Sequence, residues 1–233
     1  MRRRTEPCDV RPIRPRRPGG RAPNAPAPGP PRPRTASAAP RPPGTAAATG
    51  APAVTTTSTL PYVCQTRLSG EWIPVEYSRN FTTTAPAKVA PFHTFKVTFD
   101  SAPIKAVAAY NKLLNTISFN YKVPANATVV SYKLTGGSNL GTANQWVERN
   151  GNELRVKSDG EWVGGVEFDF PNLEVTLRAP GSGTLTTGAG GSSFTNTAFG
   201  WDRLQPDTNE WDPFQCYADP AQPVTFSTTK VKF

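Results

Sequence analysis

Short segments in which apolar and polar residues alternate run through most of this chain from residue 60 onward. Phe95, Val97 and Phe99 would share one face of an extended strand, with Lys96 and Thr98 on the other. A period of two is the pattern of a half-buried β-strand, so these segments predict an all-β fold. Similar spacing recurs at 117–123, 129–134, 154–156, 166–170, 173–177 and 224–231.

About nine strands fit into residues 60–233, a length sufficient for one domain with its own core. Asn150-Gly151 predicts a tight hairpin turn because both residues tolerate positive φ. Only residues 105–114 favour a helical turn or two. Many short strands with little helix are typical of a sandwich. We therefore predict a single antiparallel β-sandwich, immunoglobulin-like or jelly-roll in type, over residues 60–233.

Residues 1–59 differ in composition from the rest. They contain eleven arginines, no lysine and two acids, which accounts for the whole net charge of +9, whereas fifteen cations and fifteen acids cancel in residues 60–233. Within residues 1–53, Arg, Pro, Ala and Gly occupy 41 positions. A segment with so few apolar side chains cannot bury enough surface to offset its ordering entropy. We predict that residues 1–59 form a disordered tail.

Three explanations of the tail remain open. The first is an arginine arm that binds RNA, as on a viral-type coat protein. The second is a proline-rich spacer. The third is a wrongly assigned start or an altered export region. Ala51-Pro52-Ala53 has the A-x-A form of a signal-peptide cleavage site, but no apolar segment precedes it. We favour the third explanation. Nucleic-acid binding is then expected only if the tail belongs to the mature protein.

Two of the three cysteines bracket the predicted domain. Cys64 lies in the first predicted strand and Cys216 just before the last. A disulfide between them would close a loop of roughly 150 residues, worth at most about 5 kcal/mol by the chain-entropy model, and would imply an oxidising compartment. Two buried free thiols are the alternative. Cys8 is left over in the tail, which argues that the tail is not part of the mature chain.

Four segments carry a resemblance to a known group of proteins: Thr55–Cys64 (TTTSTLPYVC), Ala85–Pro91 (APAKVAP), Thr135–Gly141 (TGGSNLG) and Cys216–Pro220 (CYADP). Over residues 54–233 the chain resembles small exported actinobacterial proteins. The resemblance implies a β-sandwich with one early and one late cysteine, and no established activity. Members of that group begin with an ordinary signal peptide, and this chain departs from them there.

No arrangement of residues predicts catalysis. His93 is the single histidine, and no Gly-x-Ser-x-Gly motif accompanies it. Glu161 or Glu167 with Asp169 would be a carboxylate pair, but the alternation places Glu167 and Asp169 on the exposed face of their strand. We expect a protein that is not an enzyme and needs no cofactor.

Metal and sugar sites have weak candidates. Asp207, Asn209 and Asp212 concentrate oxygen ligands in one loop, but the order of an EF-hand is missing, so calcium is an alternative to our expectation of no metal. Trp162, Trp201 and Trp211 are candidates for stacking on a carbohydrate. We expect two or three of the five tryptophans to lie in the core instead.

The sequence therefore predicts a non-enzymatic secreted or cell-envelope protein with a structural or binding role. Candidate partners are an envelope polysaccharide, a glycolipid or another protein, and no transmembrane segment is predicted. The alternatives are a viral-type coat protein with an RNA-binding arginine arm and a carbohydrate- or glycolipid-binding module.

Overall fold

The computed structural model describes residues 52–233, and this range forms fourteen strands without a helix. The strands are β1 (Ala53–Leu68), β2 (Glu71–Pro86), β3 (Lys88–Val89), β4 (Thr94–Ser101), β5 (Leu113–Lys122), β6 (Thr128–Thr135), β7 (Gln145–Asn150), β8 (Glu153–Ser158), β9 (Trp162–Val163), β10 (Asn172–Arg178), β11 (Gly183–Ala189), β12 (Phe199–Leu204), β13 (Trp211–Ala218) and β14 (Thr225–Val231). The all-β prediction is confirmed. Residues 1–51 of the predicted tail lie outside the described range.

A long hairpin begins the fold. β1 and β2 pair over their whole length, from Ala53 opposite Pro86 to Leu68 opposite Glu71. Threonines that face each other across the ladder form hydrogen bonds between their hydroxyl groups. The Oγ1 atoms of Thr55 and Thr84, for example, lie 3.0 Å apart. Such cross-strand pairs stabilise a ladder without burial in a core. Residues 53–59, which the sequence analysis assigned to the tail, are therefore part of the sheet.

The strands join into one sheet that folds over on itself. Its order is β3-β14-β11-β5-β12-β13-β1-β2-β4-β10-β6, with β8 and β9 also pairing with β5, and β7 with β8. All neighbours are antiparallel except β14 and β3, which are parallel. Strands far apart in this order face each other across the core, so the sheet forms the two layers of a sandwich-like fold.

Aromatic side chains fill the space between the layers. Phe81 of β2 stacks on Phe226 of β14 with ring centroids 4.9 Å apart, and Phe99 of β4 stacks on Tyr121 of β5 at 4.8 Å. The alternation predicted these positions correctly, because Phe99, Phe119 and Tyr121 are all buried. The hairpin between β7 and β8 is also confirmed, but its turn residues are Gly151, with a φ of 60°, and Asn152, because Asn150 is the last residue of β7 and pairs with Glu153.

Two local predictions need correction. The strand expected at 166–170 is reduced to isolated bridges, Ile104 with Phe168 and Ser138 with Asp169. Gly165 has a φ of 81°, and the turn it makes leaves Val166 exposed. The helix expected within 105–114 is a single turn, closed by a 3.1 Å bond from the Asn111 N–H to the Val107 carbonyl, because the residues after it extend into β5.

Cys64 of β1 and Cys216 of β13 form a disulfide. The two residues are direct partners in the ladder between these strands. The bond thus joins the first strand to the next-to-last one, as the sequence predicts.

Candidate functional site

A mainly apolar cavity lies at the turn end of the β1–β2 hairpin. We call it the hairpin-end pocket, and its volume is about 410 Å³. Its apolar lining includes Leu68, Ile73, Val75, Val107, Trp201 and Phe214. These side chains come from the hairpin, from the segment 105–111 and from strands β12 and β13. The pocket therefore exists only because the fold brings four distant parts of the chain together.

The floor of the pocket is a packed aromatic cluster. The Trp201 and Phe214 rings stack with centroids 4.6 Å apart, and Tyr77 meets the edge of each ring at 6.4 and 5.5 Å respectively. Contacts of this kind hold large side chains in fixed positions. The floor of the pocket is therefore aromatic and closely packed.

The mouth of the pocket exposes apolar side chains to solvent. Tyr110 is 66 % exposed, Val107 59 % and Leu68 44 %. Ser69 and Gly70 form the hairpin turn beside them, both with positive φ, and this turn sets the register that places Leu68 and Ile73 at the mouth. Contiguous exposed apolar side chains around a cavity commonly mark a binding site.

One buried cation lines the pocket. Arg203 of β12 is only 6 % exposed, and its guanidinium donates three hydrogen bonds. Its Nε donates to the Thr66 Oγ1 at 3.0 Å, its Nη1 to the Tyr110 carbonyl at 2.8 Å and its Nη2 to the Arg67 carbonyl at 2.8 Å. Burial lowers the pKa of Arg203, and the nearby charge of Asp212 opposes this effect. Arg203 thereby connects β12 to the hairpin and to the segment 105–111.

The three predicted tryptophans occupy different environments. Trp162 is buried and stacks on Phe168 with centroids 5.0 Å apart, so the structure places it in the core and leaves its ring no open face for a sugar. Trp201 is also buried, in the floor of the hairpin-end pocket. Only Trp211 of the three is exposed, at 43 %, on the first residue of β13. Two of the five tryptophans thus lie in the core, as the sequence predicts, and stacking on a carbohydrate stays a prediction.

In the acidic loop that is a calcium candidate, two of the three predicted ligands accept hydrogen bonds from other side chains of the protein. The Asn209 Oδ1 accepts a hydrogen bond from the Lys112 Nζ at 2.6 Å, and the Asp212 Oδ2 accepts one from the Gln205 Nε2. Asp207 is exposed. Within the described range no group of three or more His, Cys, Asp or Glu residues is arranged to hold a metal ion. Calcium binding there stays a prediction.

The other titratable candidates are separate from the pocket. His93 is exposed in a turn, where its backbone N–H bonds the Ala90 carbonyl. Glu167 is exposed and Asp169 half-buried. Asp169 and Asp100 line a second, polar cavity of about 380 Å³. Burial raises the pKa of Asp100, and the charge of Asp169 raises it further.

Sequence reasoning did not single out Arg203 or Val107. Arg203 lies two residues after Trp201, and the alternation used for other strands would have placed both side chains on the same buried face of β12. The alternation in β12 would therefore have predicted that Arg203 is buried. Val107 had no comparable pattern, since it belongs to an irregular segment.

Comparison with known proteins supports the fold. No protein-family model and no curated protein sequence matches the chain. A crystal structure of a candidate membrane-anchored protein from Corynebacterium diphtheriae is similar over 77 % of this chain, with a TM-score of 0.51 and 15 % identity. The match spans 38 % of that protein's length. At this identity the likeness shows a shared fold.

A cohesin module from a family 33 glycoside hydrolase of Clostridium perfringens ATCC13124 is a more distant structural neighbour. It has a TM-score of 0.33 and 9 % identity, over 60 % of this chain and 95 % of that module. Separately, residues 52–233 contain no helix with the length and apolar character that a membrane crossing needs.

Proposed function

We propose that this chain is a non-enzymatic binding module of the actinobacterial cell envelope or the surrounding medium, and that it holds an apolar or amphipathic small molecule in the hairpin-end pocket. The pocket itself is the observation that carries this proposal. Its volume of about 410 Å³ falls within the range of roughly 300–1,000 Å³ that is common for ligand sites. Its lining is mainly apolar, and its mouth exposes Leu68, Val107 and Tyr110.

The disulfide supports the location. Cys64–Cys216 joins strands of the sheet, and structural disulfides persist mainly in oxidising compartments such as the bacterial exterior. The description of the Corynebacterium neighbour as membrane-anchored agrees with an envelope protein.

Binding fits the pocket better than catalysis does. Its polar and charged lining residues are Thr66, Lys105, Asn111 and Arg203, beside the phenols of Tyr77 and Tyr110, with no histidine, cysteine or carboxylate among the lining residues. General acid–base chemistry most often needs one of those groups close to the ligand. Of the partners predicted from sequence, a glycolipid fits an apolar pocket best. The coat-protein alternative depends on the arginine tail, which lies outside the described residues.

A neutral, environment-sensitive dye such as Nile red tests the proposal directly. We expect saturable binding to the wild-type protein, with a blue shift and increased emission. Val107→Gln places an amide at the pocket mouth and should weaken binding about tenfold, because a polar group in an apolar site costs roughly 1–3 kcal/mol.

Val130→Gln is the matched control. Val130 is 54 % exposed on β6, close to the 59 % of Val107, and it does not line the pocket. Its substitution should leave dye binding unchanged. The proposal fails if the wild type does not bind the dye, or if the two variants lose affinity equally.

A further inference from the structure

Arg203 is a buried charge without an acidic partner in direct contact. The ion pairs among residues 52–233 do not include it, and all three of its hydrogen bonds go to neutral oxygens. Burying a charge without a counter-ion is costly, so such groups usually have a specific role. Arg203 also contributes to the lining of the hairpin-end pocket. A ligand in that pocket would therefore be in reach of a positive charge that has no ion-pair partner among the described residues.

The guanidinium has donors left for such a ligand. An arginine side chain carries five N–H donors, of which the bonds to Thr66, Tyr110 and Arg67 use three. One unused N–H remains on each terminal nitrogen. The planar fork of a guanidinium matches the two oxygens of a carboxylate, and hydrogen bonds between the two charged groups are among the stronger ones in proteins.

Asp212 does not form an ion pair with Arg203. It lies opposite Arg203 in the ladder between β12 and β13, so the two side chains emerge from the same face of the sheet. Its Oδ2, however, accepts a hydrogen bond from the Gln205 Nε2. Asp212 does not line the pocket, whereas Arg203 and Lys105 do. The charged residues that line the cavity are thus all positive.

We propose that the natural ligand of the pocket is an amphiphile with a carboxylate head and an alkyl body, such as a fatty acid. The carboxylate pairs with Arg203, and the alkyl body packs against Trp201, Val75 and the apolar mouth. This inference rests on the proposed function, because it names the ligand class of the same pocket. The complementary charges of Arg203 and Lys105 select an anionic head over a neutral or cationic one.

Titration calorimetry with three ligands of equal chain length tests the proposal on the unaltered protein. The probes are dodecanoate, dodecanol and dodecylammonium, each below its micelle concentration. We expect dodecanoate to bind about tenfold tighter than dodecanol or more, through charge-assisted hydrogen bonds, and dodecylammonium to bind weakest. Equal affinities would overturn the carboxylate assignment while leaving the proposed function intact. If none of the three binds, the proposed function fails as well.

Two variants then test which cation, Arg203 or Lys105, binds the carboxylate. Arg203→Gln should lose the preference for dodecanoate over dodecanol, which is read as the ratio of the two affinities within the variant, with folding checked by circular dichroism. If this variant does not fold, the ligand series on the wild type decides. Lys105→Met removes the exposed cation and should retain most of the preference. Loss of the whole preference in Lys105→Met would show that the head group stays at the mouth and would overturn the role of Arg203.

Discussion

Cys64 and Cys216 face each other across two adjacent antiparallel strands, with their Cα atoms 4.1 Å apart, although 152 residues separate them in sequence. Their strands lie near the middle of the folded sheet. The disulfide therefore joins distant parts of the chain at a point where the ladder already pairs them.

Removal of this disulfide should lower the stability of the fold substantially. Chain entropy assigns a bridge of this span at most about 5 kcal/mol, and typical measured losses are about 2–5 kcal/mol. We expect the Cys64→Ala/Cys216→Ala double variant to unfold at much lower urea concentration than the oxidised wild type. Reduced wild type should behave like the variant. Two free thiols in the intact mass of the protein purified without reductant would contradict the disulfide.

The turn of the β1–β2 hairpin needs positive φ at both of its central residues. Ser69 has a φ of 51° and Gly70 of 84°, the combination found in type I′ turns. A Cβ at Gly70 would meet no atom within 4 Å, so the cost of Gly70→Ala is conformational only. We expect this variant to lose about 1–2 kcal/mol in urea unfolding.

The opposite change at the same turn supplies the control. Ser69→Asn creates the Asn-Gly pair that type I′ turns prefer, and it should raise the stability. If both variants match the wild type, the turn does not determine the hairpin.

Glu153 of β8 holds the loop after β11. Its carboxylate accepts hydrogen bonds from the Asn120 Nδ2 at 2.8 Å, the Gly191 N–H at 3.2 Å and the Asn196 Nδ2 at 3.3 Å. Glu153→Gln replaces an acceptor oxygen by a donor and should cost about 1–3 kcal/mol at neutral pH. Glu148→Gln, on the exposed side of β7, is the control and should change stability much less.

The pH dependence of this effect has a definite sign. Burial raises the pKa of Glu153, but the three hydrogen bonds together lower it below its ordinary value. The stabilisation by Glu153 is therefore complete above the ordinary pKa and is lost as the pH falls through the lowered one. The difference between wild type and Glu153→Gln should shrink on acidification in a urea series. A difference that is constant with pH would exclude the charged form as its origin.

Asp100 should have the opposite effect. Burial and the charge of Asp169 raise its pKa, so the folded state holds the proton more tightly than the unfolded state. The charged form then costs stability as the pH rises from the ordinary pKa of about 3.9 through the raised one. Asp100→Asn should increase the melting temperature at pH 7, and the gain should vanish in strong acid.

Asp159→Asn should change the melting temperature in the opposite direction and serves as the comparison. Hydrogen bonds from Asn144 lower the pKa of Asp159, so its loss should reduce the melting temperature at pH 7. If Asp100→Asn also reduces it, Asp100 is stabilising in its charged form.

Local sequence patterns predicted the strands in which buried and exposed side chains alternate. The spacing of Phe95, Val97 and Phe99 identified the buried face of β4, since a period of two is a property of the extended backbone itself. The same rule failed at Val166, where Gly165 turns the chain. It also missed the strand at 53–59, because threonines that pair across a ladder leave no apolar pattern.

The candidate site could not be predicted in the same way. The pocket needs Leu68, Val107 and Trp201 to meet, and they belong to three separate parts of the chain. Arg203 is buried only because the carbonyls of Tyr110 and Arg67 lie where its nitrogens can donate to them. No local pattern reports where a distant carbonyl will be.

The sequence by itself therefore determined the all-β class and the buried faces of the main strands, because alternation is a local property of an extended backbone. Tertiary structure alone decided which tryptophans are buried, where the pocket lies and that a charged arginine lines it. Those features depend on how one sheet folds over on itself. That fold is set by long-range pairing between strands, such as β1 with β13, rather than by any single segment.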